Sequence, residues 1–473
     1  METIKKIRIE SDSVGEREVP PEAYYGIQSL RAMENFPITG RRMAPEYIKA
    51  MALLKKACAI LNCEAGIITE PVAKAIIETC EEIMDGKYAD EFIVDPVQGG
   101  AGTSYNMNMN EVVANVANEK LGGGRGDYIY VNPNDHVNNG QSTNDIVPTA
   151  GKIAILWMLR PLEKNLEDLR DCFLVKAEEF KTVIKMGRTQ MQDAVPITLG
   201  QEFNAYATAL TRALGRIKES EKELFAINMG GSAIGTGINA DLHYFHNIGK
   251  KVAELTGEPF YQAEDLVDGT QHTDCYAMIS GALKQLAIVL NKICADLRIM
   301  SSGPATGFGE IHLPERQNGS SIMPGKINPV MTEIVTQVGM KVIGNDVTVT
   351  LATEGGQLEL NAFEPITFYS LFESMQMLTN VMPVFKDFCV AGIDANVEHC
   401  KELMEKSAGI ATALNPYIGY KASAKLIKSA KAHGKTLKQE AYDENVLPHE
   451  KLDEILDPMA MTTPGIAGRK DEE

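Results

Sequence analysis

The stretch GKIAILWMLRPLEKNLEDLRDCFLVKAEEFK, residues 151–181, sets Ile153, Leu156, Leu159, Leu162, Leu166, Leu169, Phe173 and Phe180 mostly three or four residues apart. That spacing returns apolar side chains to one face of an α-helix, whereas a strand would alternate its faces every second residue. Four further stretches carry helix-like patterning, at 199–227, 277–300, 330–352 and 366–390. A helix of roughly 25–30 residues is on the order of 40 Å long at about 1.5 Å per residue. Five such helices in succession predict a mainly α fold built on an elongated bundle. Their apolar faces exceed what one narrow bundle buries, so self-association is expected.

The flanks of this central region read differently. The first segment mixes short helical patterns, at 50–61 and 71–84, with many Gly, Pro and Asn breaks. The last returns to shorter helices and ends in the charged tail Gly468-Arg469-Lys470-Asp471-Glu472-Glu473. At 473 residues the chain exceeds one ordinary core. Two or three domains are expected, drawn as an N-terminal domain over 1–141, a central helical-bundle domain over 142–393 and a small helical C-terminal domain over 394–473. Sparse aromatics, with one tryptophan, and abundant Met, Leu, Ile and Ala also favour packed helices over a β-sandwich.

A net charge of −18 argues against nucleic acid or an anionic membrane surface as partner, because both call for basic patches. A site for an acidic substrate must therefore make its own positive field locally. The cysteines Cys58, Cys63, Cys80, Cys172, Cys275, Cys294, Cys389 and Cys400 are scattered without a C-x-x-C pair, and read as reduced, mostly buried thiols. The amino terminus has no apolar core of signal-peptide length, and no uninterrupted apolar run approaches a membrane span. A cytoplasmic location is expected.

Four polar clusters carry candidate chemistry. In Gly319-Ser320-Ser321-Ile322-Met323-Pro324-Gly325-Lys326-Ile327-Asn328-Pro329, two hydroxyls, an ammonium and an amide sit in a loop stiffened by two prolines and freed by two glycines. Backbone amides in such a turn form a concave donor site for an anion. In Gly99-Gly100-Ala101-Gly102-Thr103-Ser104, glycine before Thr-Ser reads as a tight turn into a helix, with Thr103 or Ser104 as its N-cap. The block from Asn132 to Asp145 is a solvated loop or a binding surface directly before the first long helix, and its His136 reads more readily as structural than catalytic. The run from Lys185 to Pro196 joins two long helices at a bundle end or bend. Arg188 with Asp193 reads there as a structural ion pair, leaving Thr189 and Gln190 to meet a ligand.

The loop from Gly319 to Pro329 resembles the mobile loop of the fumarase/aspartase superfamily, G-S-S-x-M-P-x-K-x-N-P, at every fixed position. The other three clusters match that superfamily's binding regions in order and spacing. Arg8-Ile9-Glu10, Glu18-Val19-Pro20, Ala23-Tyr24-Tyr25-Gly26, Leu30-Arg31-Ala32-Met33-Glu34-Asn35-Phe36, Gly99-Gly100-Ala101-Gly102-Thr103-Ser104 and Gly187-Arg188-Thr189-Gln190 resemble its aspartate ammonia-lyase family. The resemblance runs from the N-terminal arm to near the C-terminus. It implies a three-domain fold with a central five-helix bundle, a homotetramer around one helical core, and active sites each built from three subunits.

The same resemblance implies reversible elimination of ammonium from L-aspartate to give fumarate through an aci-carboxylate intermediate. By motif position, Ser320 is the general base. Thr103, Ser142 and Thr143 fall on groups that hold the β-carboxylate, and Asn144, Thr189 and Gln190 fall near the amino group. Ser321, Lys326 and Asn328 complete the substrate-binding set, with Lys326 and Asn328 on the α-carboxylate. An ammonium only donates, so amide oxygens of Asn and Gln suit it. The fumarase pattern has His where Gln190 stands and Ser-Ser-Asn where Ser142-Thr143-Asn144 stands. A fumarase acting on L-malate is the alternative, and a non-catalytic structural member like the lens crystallins a further one. No nucleotide loop, haem motif or clustered metal ligands can be read, so no cofactor is expected. Some members are activated by a divalent cation such as Mg2+, for which no site is legible.

Overall fold

A computed structural model describes residues 7–469; residues 1–6 and 470–473, on which the readings of the extreme amino terminus and of the end of the charged tail fall, lie outside the described residues. The expected long helices form Thr143–Glu179, Leu199–Ser220, Asp274–Met300, Val330–Glu354 and Glu364–Phe388. Ile153, Leu156, Leu159, Leu162, Leu166, Leu169 and Phe173 are all wholly buried, as their spacing predicts. The fold is mainly helical.

The helix ends depart from the apolar pattern for identifiable reasons. The first long helix begins at Thr143, ahead of the patterned residues, and runs through Pro148 and Pro161. Proline has no N–H for the carbonyl four residues back. At Pro148 that carbonyl belongs to Asn144, and the Asn228 side-chain amide donates to it at 2.9 Å. Tyr276 Oη donates to the Pro148 carbonyl at 2.9 Å and Tyr47 Oη to that of Val147 at 3.2 Å, which fixes this end of the helix further. The second helix stops at Ser220, short of residue 227. Glu221, drawn to Arg160 Nη1 at 2.7 Å, begins a tight 3-10 turn that leads into a short parallel strand pair, Ala226–Ile227 with Tyr261–Gln262.

The chain divides into two compact units. One takes the described residues of Met1–Glu163, Gly215–Gln285 and Met340–Thr379, the other Lys164–Leu214, Leu286–Gly339 and the described residues of Asn380–Glu473. Each of the five long helices has residues in both. In the first unit, the Pro45–Glu64, Glu70–Met84 and Thr103–Lys120 helices pack together, with Tyr47 set edge-on against Tyr105. An antiparallel hairpin, Arg8–Asp12 with Gly15–Val19, precedes the Ile27–Asn35 helix. In the second unit, the antiparallel hairpin Ile184–Thr189 with Gln192–Thr198 places Met186 in a core with Met404, Leu414, Leu426, Leu437 and Leu452.

The Asp274–Met300 helix is long and apolar enough to cross a membrane, although Lys284 and Lys292 interrupt it. Its Tyr276, Leu283, Leu286, Leu290 and Leu297 are buried inside the protein, as in a core helix.

Candidate active site

Three residues in the left-handed region, Gly100, Ala101 and Gly102 with φ of 91°, 53° and 84°, turn the chain into the Thr103–Lys120 helix. At Gly102 a Cβ would lie 2.8 Å from Val147 Cγ1, so the close approach of the two elements also requires glycine. Gly102 occupies the N-cap position, which corrects the expectation of a Thr103 or Ser104 cap. Thr103 is the first helical residue, and its hydroxyl donates back to the Gly100 carbonyl at 2.8 Å because the tight turn brings that oxygen within reach. It stands exposed on the first turn, where helix N–H groups have no intrahelical partner.

Ser142, Thr143 and Asn144 are gathered at the start of the Thr143–Glu179 helix. The adjacent Asp145 is wholly buried. It accepts the Ser142 N–H at 2.9 Å on one oxygen, and the Gly230 and Ser232 N–H groups at 3.3 and 3.1 Å on the other. Burial pushes its carboxyl up to about 7, partly offset by those amide donors. Asn144 donates its side-chain N–H to the Ala233 carbonyl at 2.7 Å, which turns its Oδ1 the other way as an acceptor. Thr143 Oγ1 accepts from Asn106 Nδ2 at 3.3 Å. Asn106 belongs to a group with the buried Lys55 and Gln141 and the half-buried Asn138, in which sequence reasoning assigned no role to Lys55 or Asn106. A signal was present in Asn106, Asn108 and Asn110, three poor helix formers alternating inside one helix. His136 lies in the π-helical turn Pro133–Val137, and its Nδ1 accepts the Asn132 N–H at 2.9 Å.

The second unit holds the remaining candidates. The run from Lys185 to Pro196 forms a hairpin, whose tip is a two-residue turn of Gln190 and Met191 with φ of 53° and 63°. Thr189, Gln190 and Met191 are exposed there. Arg188 stands opposite Asp193 in the strand register, yet its guanidinium goes to Glu310 at 2.7 Å and lies over the Phe308 ring at 4.3 Å. The expected Arg188–Asp193 ion pair is thus replaced by a buried one, since a low-dielectric carboxylate competes better than an exposed one. Glu310 is wholly buried and also meets Lys185 Nζ at 3.0 Å, itself bound to Glu202 at 3.0 Å.

The loop from Gly319 to Pro329, directly before the Val330–Glu354 helix, closes on itself. Gly319 N–H donates to the Lys326 carbonyl at 2.9 Å, and Asn328 Nδ2 donates to the Gly319 carbonyl at 3.1 Å. A Cβ on Gly319 would lie 2.3 Å from the Lys326 oxygen. Within the loop, Ser320 Oγ accepts the N–H groups of Ile322 and Met323 at 3.2 and 3.1 Å. Ser321 and Lys326 are exposed. The candidates therefore form two groups, Thr103, Ser142, Thr143 and Asn144 in one unit and Thr189, Gln190, Ser320, Ser321, Lys326 and Asn328 in the other.

A protein family described as Lyase matches residues 15–344, and one described as Fumarase C C-terminus matches residues 410–463. The chain belongs to the fumarase/aspartase superfamily of lyases. It is similar along its whole length to proteins named aspartate ammonia-lyase. The protein of that name from a Bacillus species is 51% identical over 464 residues, spanning 98% of this chain and 99% of the relative. That from Escherichia coli is 47% identical and covers 98% of both chains. Among solved structures, a fumarate lyase:delta crystallin from Brucella melitensis, bound to cobalt, superposes with a TM-score of 0.94 at 46% identity, over 97% of this chain and 100% of that one. A class II fumarase from Schistosoma mansoni gives 0.93 at 36% identity, over 97% and 99%.

Proposed function

We infer that the chain is an aspartate ammonia-lyase, a carbon–nitrogen lyase that converts L-aspartate reversibly to fumarate and ammonium. The full-length likeness to proteins of that name carries the reading. Gln190 supports it over a fumarase, because glutamine does not titrate and cannot exchange a proton with water as the histidine of the fumarase pattern does.

In the mechanism proposed, Ser320 as an alkoxide removes the Cβ proton of aspartate. The electron pair moves into the β-carboxylate, giving an aci-carboxylate held by Thr103, Ser142 and Thr143. Its collapse forms the Cα–Cβ double bond and expels the amine. The two amide N–H groups on Ser320 Oγ support the alkoxide, since preorganised donors stabilise charge where it develops. Lys326 and Asn328 take the α-carboxylate, with Ser321 beside them. Asn144, Thr189 and Gln190 meet the amino group. No step calls for a cofactor.

We further propose a cytoplasmic homotetramer in which three subunits complete each site. Met340, Val347 and Leu351, seven and four residues apart on one helix, are 64%, 56% and 58% exposed, an apolar face that a second copy would cover.

The test is fumarate release, followed by ultraviolet absorbance, with L-aspartate and L-malate supplied separately. Fumarate from aspartate with stoichiometric ammonium is expected. Fumarate from malate instead would make the protein a fumarase, and silence on both from the folded oligomer would favour a non-catalytic role. A verified monomer with full activity would refute the shared site.

A further inference from the structure

Lys55 is wholly buried in the middle of the Pro45–Glu64 helix, and its ammonium has three hydrogen-bond partners, none of them charged. It donates to Asn106 Oδ1 at 2.7 Å, Gln141 Oε1 at 2.8 Å and Asn138 Oδ1 at 3.0 Å. Three N–H bonds meet three amide oxygens, so the cation is fully satisfied but has no hydrogen-bonded counter-ion. The titratable groups facing it are the thiols of Cys58 and Cys80, both pushed up to about 12 by burial, and the Asp145 carboxyl. Burial pulls Lys55 down to about 8, which still leaves it charged at neutral pH. A buried cation without an ion-paired anion is costly unless something else brings the opposite charge.

The network has a direction. An ammonium only donates, so Asn106 must turn Oδ1 toward Lys55 and Nδ2 away from it. The two Nδ2 hydrogens then go to Asn138 Oδ1 at 3.0 Å and Thr143 Oγ1 at 3.3 Å. Asn138 is held likewise, taking a third donor from Asn110 Nδ2 at 3.2 Å and donating to the Gln141 carbonyl at 3.3 Å. Thr143 therefore accepts from inside the protein. Among the described residues, no acceptor takes its own hydroxyl proton.

We propose that Lys55 and Asn106 are positioning residues for the elimination: they hold Thr143 with its hydroxyl hydrogen free for the substrate β-carboxylate and supply a positive field behind it. The proposal rests on the reading of Thr143 as a β-carboxylate ligand. The missing counter-ion of Lys55 is then the substrate itself, and its field acts most strongly when the aci-carboxylate carries its extra charge. A chain of hydrogen bonds starting from a cation polarises each successive donor, and Thr143 stands at its end.

Asn106→Asp tests this, because it keeps an acceptor for Lys55 while replacing the donor to Thr143 with an acceptor, which draws the Thr143 proton inward. Turnover of aspartate should fall on the order of 100-fold, as for loss of one oxyanion donor, with kcat falling more than KM rises and the melting temperature maintained. Thr143→Val should cost about as much. In the Thr143→Val background, Asn106→Asp should cost no more than about threefold, since the two changes remove the same interaction. Should Asn106→Asp not fold, Asn106→Ala, which leaves Lys55 its Asn138 and Gln141 oxygens, runs the same cycle. Undiminished turnover in Thr143→Val would overturn both the carboxylate reading and the relay. A large Thr143→Val loss with fully additive effects would leave that reading standing and overturn the relay alone.

Discussion

Asn228 Nδ2 donates to the main-chain oxygen of Asn144 at 2.9 Å, giving that oxygen the hydrogen bond that Pro148 cannot make. The same amide reaches Thr270 Oγ1 at 3.0 Å, so Asn228 ties the start of the first long helix to a neighbouring element. Asn228→Leu should destabilise the protein by about 1–3 kcal/mol, the cost of an unsatisfied buried carbonyl. Pro148→Ala in the same chain restores a backbone N–H for Asn144 and should recover part of that loss. Urea denaturation of the single and double variants measures it; a double variant no more stable than Asn228→Leu would show that the Asn144 carbonyl was never the issue.

Ser320→Ala removes the oxygen on which two amide N–H groups converge and leaves the loop's own closure, Gly319 to Lys326 and Asn328 to Gly319, intact. Turnover should fall by at least about 1,000-fold while aspartate still binds, because a general base acts in the chemical step. Steady-state kinetics beside calorimetric binding of aspartate separates the two. Near-normal turnover would remove Ser320 from the mechanism.

Glu310 carries two cations on its two oxygens, Arg188 at 2.7 Å and Lys185 at 3.0 Å, and so fixes the base of the hairpin whose tip bears Thr189 and Gln190. Breaking a buried pair strands a charge and costs about 3–5 kcal/mol. Glu310→Gln should therefore lower the melting temperature by several degrees and raise KM for aspartate. Scanning calorimetry checks the first effect, and an unchanged transition would mean that Lys185 rests sufficiently on Glu202 and that Arg188 is replaceable there.

Glu111 is wholly buried yet accepts the N–H groups of Gly26, Gln28 and Ser29 at 2.9, 2.8 and 3.0 Å at the head of the Ile27–Asn35 helix. Burial raises its carboxyl from 4.5 to about 7 against the pull of those donors. With a folded value above the unfolded one, the native chain holds this proton longer. The stabilisation is thus complete below the unfolded value and is lost as pH rises through about 7. In Glu111→Gln that slope disappears. The stability difference between the two proteins should change by up to about 3 kcal/mol between pH 5 and pH 8, read from urea midpoints. Parallel curves would show that Glu111 stays ionised throughout.

The long helices were legible because spacing such as Leu159, Leu162, Leu166 and Leu169 has one physical reading, and these residues are buried accordingly. Their ends were not, since they depend on contacts distant in sequence: Asn228 rescues Pro148, and Arg160 draws off Glu221. The Ile184–Thr189 and Gln192–Thr198 hairpin gave little signal, because its turn residues are Gln and Met rather than Gly or Asn. Within the candidate site, Ser142, Thr143 and Asn144 stood out as a polar block before a helix. Lys55 did not. Next to Lys56 it reads as half of a solvated pair, and only packing shows that Lys56 reaches Glu81 at 2.7 Å while Lys55 is buried.

The hairpin tip joins strain to the proposed recognition of the amino group. Gln190 and Met191 both hold a left-handed backbone between the paired residues Thr189 and Gln192, a conformation costing roughly 1 kcal/mol or more for each non-glycine residue. Glycine relieves it at either position. Gln190→Gly and Met191→Gly should both maintain or raise the melting temperature. Only Gln190→Gly also removes an amide oxygen from the proposed ammonium site, so it should lower kcat/KM for aspartate by at least about tenfold, whereas Met191→Gly should leave it within about twofold. Equal kinetic losses in the two variants would assign the effect to turn geometry and withdraw Gln190 from substrate recognition.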